Sequence, residues 1–532
     1  MLDQKLMEMG QGEHRPYSPR NFYDRLTESA TASPDATALL FRGERQSYGE
    51  LTARAGAVRK ALADMGVTAG DRVAFLLDPS LDLFAVMIGV LSAGCAYVPV
   101  SNKEAVERAA HILTDSGAAA FITSQAYAHR PLGGSLRRIL TSDIDWSAPD
   151  VPAPVITHSG AEAYVIYTSG TTGAPKGVVI THHSMVQFGE SISALYETTP
   201  DDVVQYFYSP SVDTSVEEMC LAFFAGATLS IATETERHAP PRLAKAMAEN
   251  GVTICILPLK IAREIDAAAL PALRLAVFGG EAVHAEIVNK WQAPGRKVYN
   301  GYGPTEATVA CIQKRCDGAF DAPPPIGRPM ANHFALLLQD DGVTPAPLGE
   351  MGEIAIAGPG VALGYLNRPE LTADKFTLNP YARDASQAVF YRTGDYGRWN
   401  DDGDIEYHGR KDDQVKINGH RVEISEIENA FLKFPGVDFA AVISEGAAGD
   451  LHLHAFVKTD ESAPPSGAAY RRHLHQTLPF QMIPRKISFL REVPLTRSGK
   501  VDRKRLREFV SAGPEAHPTD NPTAQPEKEA HA

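Results

Sequence analysis

Residues 167–177 read YTSGTTGAPKG, and this segment constrains the fold and chemistry of the chain more than any other. Its three glycines let the backbone wrap closely around an anion, while Ser and Thr hydroxyls add hydrogen-bond donors and Lys176 adds positive charge. It is not a Walker A motif, because that motif needs Ser or Thr after the lysine and Gly177 stands there. An ordinary surface turn would not need hydroxyls, glycines and a lysine together. The segment therefore predicts a phosphate-binding loop.

Strand-like and helix-like patterns alternate on both sides of this loop. Apolar runs such as 72–77 and 273–278 predict strands, and the amphipathic pattern at 48–65 predicts a helix. This alternation is typical of α/β proteins with parallel sheets. A second glycine pattern, GPGVALG at 358–364, is one residue too long for a dinucleotide fingerprint and lacks the acidic ribose partner, so we interpret it as a turn.

Composition divides the 532 residues into four parts. The polar start predicts a flexible N-terminus over 1–18, followed by a large lobe over 19–408. A charged, Gly-containing segment before a new helix start predicts a small mobile lobe over 409–510. The end of the chain, 511–532, is rich in Pro, Glu, Ala and Thr, which predicts a disordered tail.

The overall charge and the cysteines limit the functional classes. With 65 acidic and 51 basic residues the net charge is -14, which disfavours nucleic acid and anionic membrane surfaces as partners. Five scattered cysteines without metal-ligand spacing indicate a reduced, intracellular protein. Because neither a signal sequence nor a membrane span is recognisable, we expect a soluble cytoplasmic protein.

Six motifs occur in an order that resembles one known family, the adenylation domains of non-ribosomal peptide synthetases. These domains belong to the wider acyl-adenylate-forming superfamily of acyl-CoA synthetases and luciferases. The resemblance covers about residues 20–510. The motifs are YTSGTTGAPKGV at 167–178, NGYGPTEAT at 300–308, GEIAIAGPGVALGYLNRPELTADKF at 352–376, YRTGD at 391–395, GRKDDQVKINGHRVE at 409–423 and PLTRSGKVDR at 494–503.

The resemblance implies an α/β fold with a multi-subdomain N-terminal AMP-binding lobe and a small, mobile α+β C-terminal lobe. It also implies that ATP and Mg2+ are used to convert an amino acid to an aminoacyl-adenylate. In enzymes of this family, the residue at the position of Tyr302 stacks on adenine. The residue at the position of Thr305 contacts the α-phosphate. Glu306 matches a Mg2+ ligand, a role that suits its hard oxygen atoms. Asp395 matches a bidentate acceptor for the ribose hydroxyls, and Arg410 matches a second contact to the ribose or to a phosphate.

Lys500 matches the lysine that reaches both the substrate carboxylate and the α-phosphate, so the resemblance assigns catalytic roles to Lys500, Thr305 and Glu306. Because Lys500 lies on the small lobe, the lobe is expected to rotate between adenylation and thiol transfer. Asp412 matches the hinge of this rotation, and Gly419 lies on the loop that would line the thiol tunnel. The other expected nucleotide-binding residues are Thr168, Ser169, Gly170, Thr171, Thr172, Gly173, Lys176, Gly280, Glu281, Asn300 and Gly303.

Asp213 falls on the amino acid-recognition aspartate of the family, within SPSVDTSVEEM at 209–219. A buried carboxylate is costly unless it is paired, so Asp213 is expected to bind the substrate ammonium; the alternative is a helix N-cap. Glu217 is a second acidic residue of the pocket and suggests a substrate with a basic side chain. Alternatively, Glu217 turns to solvent or binds a neutral polar group. The remaining pocket residues are expected to be Thr214, Ile256, Val277, Gly279, Gly301, Val309 and Ala310.

Several functional alternatives stay open from the sequence. Because no carrier motif follows Lys500, we expect a free-standing enzyme that loads the phosphopantetheine thiol of a separate carrier protein. An acid–CoA ligase shares every nucleotide motif, and an amide-forming ligase would pass the adenylate directly to an amine. Val212 replaces the common aromatic residue before Asp213, which leaves a β-amino acid or a small neutral substrate possible. A non-catalytic ATP-binding protein is disfavoured because the motif residues are intact.

Overall fold

The computed structural model describes residues 4–17, 20–134, 136–148, 150–155, 157–170, 174–410, 414–417, 420–446, 451–459, 465–490, 492–494 and 501–511. The helices are α1 (Gln4–Met9), α2 (Phe22–Ala32), α3 (Tyr48–Asp64), α4 (Leu81–Ser92), α5 (Val106–Asp115), α6 (His182–Tyr196), α7 (Thr214–Ala225), α8 (Glu234–Arg237), α9 (Pro240–Glu249), α10 (Leu259–Glu264), α11 (Ala285–Trp291), α12 (Pro369–Lys375), α13 (Ile424–Leu432), α14 (Gly467–Thr477) and α15 (Arg503–Ser511).

The strands alternate with these helices along most of the chain. They are β1 (Thr37–Phe41), β2 (Glu44–Ser47), β3 (Arg72–Leu76), β4 (Ala96–Pro99), β5 (Ala120–Thr123), β6 (Arg137–Leu140), β7 (Glu162–Thr168), β8 (Lys176–Thr181), β9 (Val203–Tyr206), β10 (Thr228–Ile231), β11 (Ile254–Ile256), β12 (Leu275–Gly279), β13 (Lys297–Tyr302), β14 (Ile312–Arg315), β15 (Arg328–Pro329), β16 (Phe334–Leu338), β17 (Met351–Ala357), β18 (Gly364–Tyr365), β19 (Phe376–Leu378), β20 (Val389–Trp399), β21 (Ile405–Arg410), β22 (Val415–Ile417), β23 (His420–Val422), β24 (Val437–Glu445), β25 (His452–Thr459) and β26 (Lys486–Phe489).

Two large, mainly parallel sheets form the centre of the N-terminal lobe. The first has nine strands in the order β15-β14-β13-β12-β11-β9-β10-β1-β2, and the second has seven in the order β18-β8-β7-β4-β3-β5-β6. Antiparallel strands lie only toward their edges, as in the pairs β13–β14, β1–β2 and β7–β8. The prediction of an α/β fold with parallel sheets is confirmed, and the predicted strands at 72–77 and 273–278 correspond to β3 and β12.

Helices packed between the two sheets join them into one hydrophobic core. Helix α4 has the sequence LDLFAVMIGVLS, and all its residues except Asp82 are buried. A helix that is apolar on every side must be covered on every side, which explains its central place. Helix α3 begins with a capping box in which Ser47 and Glu50 each bind the other's backbone N–H, so the predicted helix at 48–65 starts where its sequence signal indicates.

An antiparallel sheet, β16-β17-β20-β19 with β21 paired to β20, completes the N-terminal lobe. The C-terminal lobe contains the two-stranded hairpin β22-β23, the three-stranded sheet β24-β25-β26 and helices α13 to α15. Its own core is built around Ile427, Phe431 and Tyr470. The predicted division into a large α/β lobe and a small α+β lobe is thus confirmed as a fold class.

The chain ends differ in part from the prediction. Within the supposedly flexible N-terminus, α1 is helical, Leu6 is 5% exposed in a core with Ile354 and Ile356, and Gln11 bridges to Phe334. That prediction is therefore wrong for residues 4–17, because the buried Leu6 and the partly buried Met7 and Met9 dock the segment against apolar cores. Of the predicted tail, Ser511 is described, as the last residue of α15, and 512–532 lie outside the described residues.

The expected binding residues gather where the strands of the nine-stranded sheet end. Strands β9, β11, β12 and β13 run parallel, so their carboxyl ends lie along one edge. Asp213 follows β9, Gly279 ends β12, and Thr305 comes just after β13. In open α/β sheets this edge is where ligands bind, so the fold brings together residues that are far apart in the chain.

Candidate active site

Asp213 stands at the start of α7 and faces the site. It occupies the N-cap position, but its side chain makes no capping hydrogen bond, which argues against the purely structural alternative. Burial raises the pKa of the Asp213 carboxyl, while a hydrogen bond with the Thr305 side chain and the charge of Lys416 oppose the rise. A carboxylate held in this way gains from a cationic ligand, because the ligand would offset its desolvation.

Glu217 lies one helical turn after Asp213, on the same face of α7. It is 3% exposed, so it does not turn to solvent. Burial, together with the charge of Asp213, raises the pKa of the Glu217 carboxyl to about 8. Its Oε1 atom has no hydrogen-bonding partner among the described residues. Two costly carboxylates therefore stand in succession along one wall of the site.

The other predicted wall residues are brought together around these two carboxylates. Ile256, Val277, Val309 and Ala310 are all buried in the same core cluster. Val309 has a φ of 68°, a left-handed conformation that is unusual for a β-branched residue. We call the group made by Asp213, Thr214, Glu217, Ile256, Val277, Gly279, Gly301, Val309 and Ala310 the acid pocket.

Backbone and side-chain packing explains why Gly279 and Gly301 of the acid pocket are glycines. A Cβ at Gly279 would lie 2.2 Å from the Gly301 carbonyl oxygen on the paired strand, so a glycine is required for the strands to approach. A Cβ at Gly301 would lie 3.0 Å from Nε2 of Gln313. The space left by Gly301 is therefore bordered by a polar amide that the sequence patterns did not single out.

On the nucleotide side, Lys176, Glu306 and Tyr365 form a buried network. The Tyr365 hydroxyl donates to Glu306 Oε1 at 2.6 Å and accepts from Lys176 Nζ at 3.1 Å. Lys176 Nζ also lies 3.5 Å from Glu306 Oε1 and 4.2 Å from the centre of the Tyr365 ring. The lysine of the phosphate loop is thus held beside the expected Mg2+ ligand. Sequence reasoning missed Tyr365, although it lies within a quoted motif.

A second network holds the expected adenosine-binding residues. The Tyr302 hydroxyl donates to Asp395 Oδ2 at 2.6 Å, and Arg410 Nη1 donates to Asp395 Oδ1 at 2.8 Å. Asp395 and Arg410 are also register partners on β20 and β21. We call the two networks together, namely Lys176, Glu306, Tyr365, Tyr302, Asp395 and Arg410, the nucleotide half of the site.

The remaining predicted nucleotide-binding residues differ in how they are placed. Gly170 and Gly303 are needed for close backbone packing, since a Cβ would lie 2.1 Å from the Ala174 oxygen and 2.4 Å from the Val309 oxygen. Asn300 donates to the Pro325 carbonyl at 3.0 Å. Thr168 ends β7, Ser169 is buried after it, and Gly280 and Glu281 follow β12. Six predicted residues lie outside the described residues: Thr171, Thr172, Gly173, Asp412, Gly419 and Lys500.

The C-terminal lobe contacts this site directly. Lys416, on β22, lies close enough to lower the pKa of Asp213. Glu426, on α13, pairs with Arg108 of the N-terminal lobe and accepts a hydrogen bond from the Gly170 backbone N–H of the phosphate loop. Burial raises the pKa of the Glu426 carboxyl to about 7, and these two contacts oppose the rise. In this arrangement the Glu426 carboxylate of the small lobe accepts a hydrogen bond from the Gly170 N–H of the phosphate loop.

Glu306 is the expected ligand of Mg2+. Within the described ranges, His, Cys, Asp and Glu side chains form no group of three or more that could hold a metal ion. Mg2+ usually keeps several waters and uses one or two carboxylates together with substrate phosphates. The buried carboxylate of Glu306, beside the lysine of the phosphate loop, fits such an ion. In the described part of the chain, no helix is both long and apolar enough to cross a membrane.

Comparison with known families agrees with the fold and the site. Residues 26–366 match the AMP-binding enzyme family, and residues 426–500 match the AMP-binding enzyme C-terminal domain. The chain therefore belongs to the AMP-binding enzyme family. Its relatives include a tripeptide synthetase, and a similar solved structure is an adenylation–PCP di-domain of a nonribosomal peptide synthetase, so the chain is an adenylation domain of that type and an AMP-forming ligase.

Three curated relatives illustrate the similarity. Tyrocidine synthase 1 of Brevibacillus parabrevis is 34% identical over 96% of this chain and 47% of its own length. Phosphinothricin tripeptide synthetase PhsC of Streptomyces viridochromogenes is 36% identical over 92% of this chain and 45% of its own length. Delta-poly-L-ornithine synthetase of Acinetobacter baumannii is 33% identical over 93% of this chain and 37% of its own length. The chain thus spans less than half the length of each.

Solved structures show the same architecture. An artificially fused adenylation–PCP di-domain, NpsA-ThdA from Klebsiella oxytoca, superposes with a TM-score of 0.79 at 26% identity, covering 89% of this chain and 87% of that one. The four-domain nonribosomal peptide synthetase AB3403, bound to AMP and glycine, gives a TM-score of 0.69 at 27% identity, covering 99% of this chain and 38% of that one.

Proposed function

We propose that this adenylation domain activates an amino acid with a basic side chain and transfers it to the phosphopantetheine thiol of a carrier protein. The observation that carries the proposal is the pair of carboxylates at the start of α7, of which Asp213 is partly buried and Glu217 is buried. Asp213 would bind the α-ammonium, and Glu217, one turn away, would bind a cation at the far end of the side chain. A neutral substrate would leave Glu217 buried without a partner, which is costly.

The relatives support this substrate class. One of them is named for the synthesis of delta-poly-L-ornithine, and ornithine carries a side-chain amine. The acid pocket also has apolar walls at Ile256 and Val277, which suit the methylene groups between two cationic ends.

In the adenylation step, a substrate carboxylate oxygen attacks the α-phosphorus of ATP, the new P–O bond forms, and pyrophosphate leaves. Catalysis depends on holding the two anions in line and on neutralising their charge. Asp213 would fix the acid through its ammonium, while Thr305, hydrogen-bonded to Asp213, links the acid to the α-phosphate. Lys176 would bind the departing phosphates, and Tyr302, Asp395 and Arg410 would hold the adenosine. Mg2+, held through Glu306 and the ATP phosphates, would offset negative charge on the nucleotide.

The small lobe must move for this reaction to proceed. Glu426 accepts the Gly170 N–H that a phosphate of ATP would also need. ATP and Glu426 would therefore compete for the loop, and the small lobe would turn about Asp412 to bring Lys500 to the substrate. After pyrophosphate leaves, the contact between Arg108 and Glu426 would form again while a thiol approaches past the loop that contains Gly419.

Adenylation–PCP fusions among the similar structures support a carrier protein as the acceptor. Loading in trans is part of the proposal and is tested by supplying a separate phosphopantetheinylated carrier. Transfer to CoA is the second candidate, and the same assay with CoA as acceptor distinguishes them. The partly buried Asp213 favours an amino acid over the aryl and acyl acids of CoA ligases.

Amino acid-dependent pyrophosphate–ATP exchange tests the substrate directly. The panel should include lysine, ornithine, arginine, β-lysine, glutamine, norleucine, alanine and β-alanine, with Mg2+ present. We expect the highest kcat/KM for an amino acid with a distal cation. Highest exchange with norleucine or alanine would contradict the proposed substrate class, and no acid-dependent exchange would contradict adenylation itself.

A further inference from the structure

A set of polar groups lies behind the predicted wall of the acid pocket. Glu217, Tyr196 and Gln313 come from α7, the end of α6 and β14, respectively, and we call them the distal polar group. Glu217 Oε1, the Tyr196 hydroxyl and both amide atoms of Gln313 are buried and make no hydrogen bond of good geometry among the described residues, although the phenol lies near both other groups. Four buried polar atoms in one place are unusual, because such atoms normally find partners.

Tyr196 connects the three members. Its side chain is fully buried, and burial followed by the charge of Glu217 raises the pKa of the phenol well above its ordinary value. Gln313 acts on the same phenol in the opposite direction, lowering its pKa. The phenol oxygen thus faces both the carboxylate and the amide, although neither completes a hydrogen bond of good geometry. A cationic donor placed between the groups could hydrogen-bond to the oxygen atoms of Glu217, Tyr196 and Gln313.

Gln313 reaches the pocket through Gly301. The two residues are register partners on β13 and β14, so their side chains would share a face of the sheet. Because Gly301 has no side chain, the Gln313 amide covers it, with Nε2 at 3.0 Å and Oε1 at 3.3 Å from the position of a Cβ. Gln313 therefore takes the place that a larger pocket residue at 301 would occupy.

We infer that Tyr196 and Gln313, together with Glu217, bind a primary ammonium at the end of the substrate side chain. An ammonium has three N–H donors and no acceptor, so it needs three acceptors. The carboxylate, the phenol oxygen and the amide oxygen would provide them, with the negative charge coming from Glu217 alone. A guanidinium has five donors in a planar fork and would leave some unpaired against three single acceptors. This inference rests on the proposed function and narrows it to amines such as lysine, ornithine or a β-amino acid with a distal amine.

The test compares each amine substrate with a neutral analogue that lacks the amine, such as lysine with norleucine. In the variants Tyr196→Phe and Gln313→Leu, we expect the ratio of kcat/KM between the two to fall about 10-fold or more, mainly through KM for the amine, because each variant removes a hydrogen bond to a charged group. Exchange with norleucine should be unchanged or improved. Since both substrates are measured on the same preparation, partial misfolding cancels from the ratio.

Tyr299→Phe is the matched control. The Tyr299 ring packs 4.9 Å from the Tyr196 ring, so this variant also removes one phenolic hydroxyl from the same region, but the charged groups near it are Arg315, Glu197 and Asp317 rather than Glu217. In this variant, the ratio of kcat/KM between the amine substrate and its neutral analogue should stay at the wild-type value.

The failures of the two proposals are distinguishable. A wild-type enzyme that prefers an amine, with variants that keep the wild-type ratio, would overturn the roles of Tyr196 and Gln313 and leave the proposed function intact. A wild-type enzyme that prefers arginine over every amine would overturn the inference but not the basic substrate class. A wild-type enzyme that prefers norleucine would overturn both.

Discussion

The nucleotide half of the site and the acid pocket differ in how completely their carboxylates are paired. In the nucleotide half, the carboxylates already have cations or hydroxyls in contact, as Asp395 does between Tyr302 and Arg410. In the acid pocket, Asp213 and Glu217 carry raised pKa values, and Glu217 Oε1 lacks a partner among the described residues. A preorganised site suits a substrate common to all members of a family, whereas unsatisfied groups make binding depend on the particular ligand that completes them.

Of the three predicted effects, the loss of kcat/KM for the amino acid on substitution of Asp213 should be the largest. In Asp213→Ala the substrate ammonium loses its carboxylate partner, and truncating one side of such a pair costs about 2–5 kcal/mol. We expect kcat/KM for the amino acid in pyrophosphate exchange to fall about 30-fold or more. Equilibrium binding of ATP is the control and should be unchanged, since the nucleotide half does not use Asp213. Weakened ATP binding with normal use of the amino acid would reverse the two assignments.

The variant Tyr365→Phe should weaken the use of ATP by the nucleotide half of the site. The substitution removes the hydroxyl that joins Lys176 and Glu306, and a hydrogen bond to a charged group contributes about 1.5–3 kcal/mol. We expect kcat/KM for ATP to fall about 10-fold, with KM for the amino acid unchanged. Tyr381→Phe is a matched control, because its hydroxyl donates to the Val343 carbonyl away from the site. Equal losses in both variants would show that the Tyr365 hydroxyl has no special role.

The third predicted effect is the smallest and concerns the pH dependence of kcat/KM for a basic substrate. Because the pKa of Glu217 is raised to about 8, the carboxyl is mostly protonated at pH 7 and about half ionised at pH 8. A cationic side chain binds the ionised form, so kcat/KM for lysine should rise about fivefold between pH 7 and pH 8 relative to norleucine. Norleucine corrects for Asp213 and for the α-amino group, which the two substrates share. A ratio that does not change with pH, or a slope that persists in Glu217→Gln, would exclude Glu217 as the titrating group.

Elements with a local signal were predicted from the sequence, as the strands β3 and β12 and the helix α3 show. The loop at 167–177, the motif around Tyr302 and the strand signal of β12 are short patterns whose chemistry or periodicity is local. The flexible N-terminus was predicted wrongly for residues 4–17, because the packing of Leu6 depends on a partner sheet more than 300 positions away. Gly279 was expected to line the pocket, and only the pairing of β12 with β13 reveals that the backbone of Gly301 leaves no room for a side chain there.

The amino acid sequence by itself determined the class of this protein, through an ordered set of adenylation motifs. The tertiary structure decided which side chains complete the site. Tyr365 reaches Lys176 across 189 positions, and Arg108 pairs with Glu426 across 318. The distal polar group arises in the same way, from Tyr196, Glu217 and Gln313 on three separate elements. Burial that raises the pKa of Glu217 is a property of the surrounding packing, and no local pattern of residues encodes it.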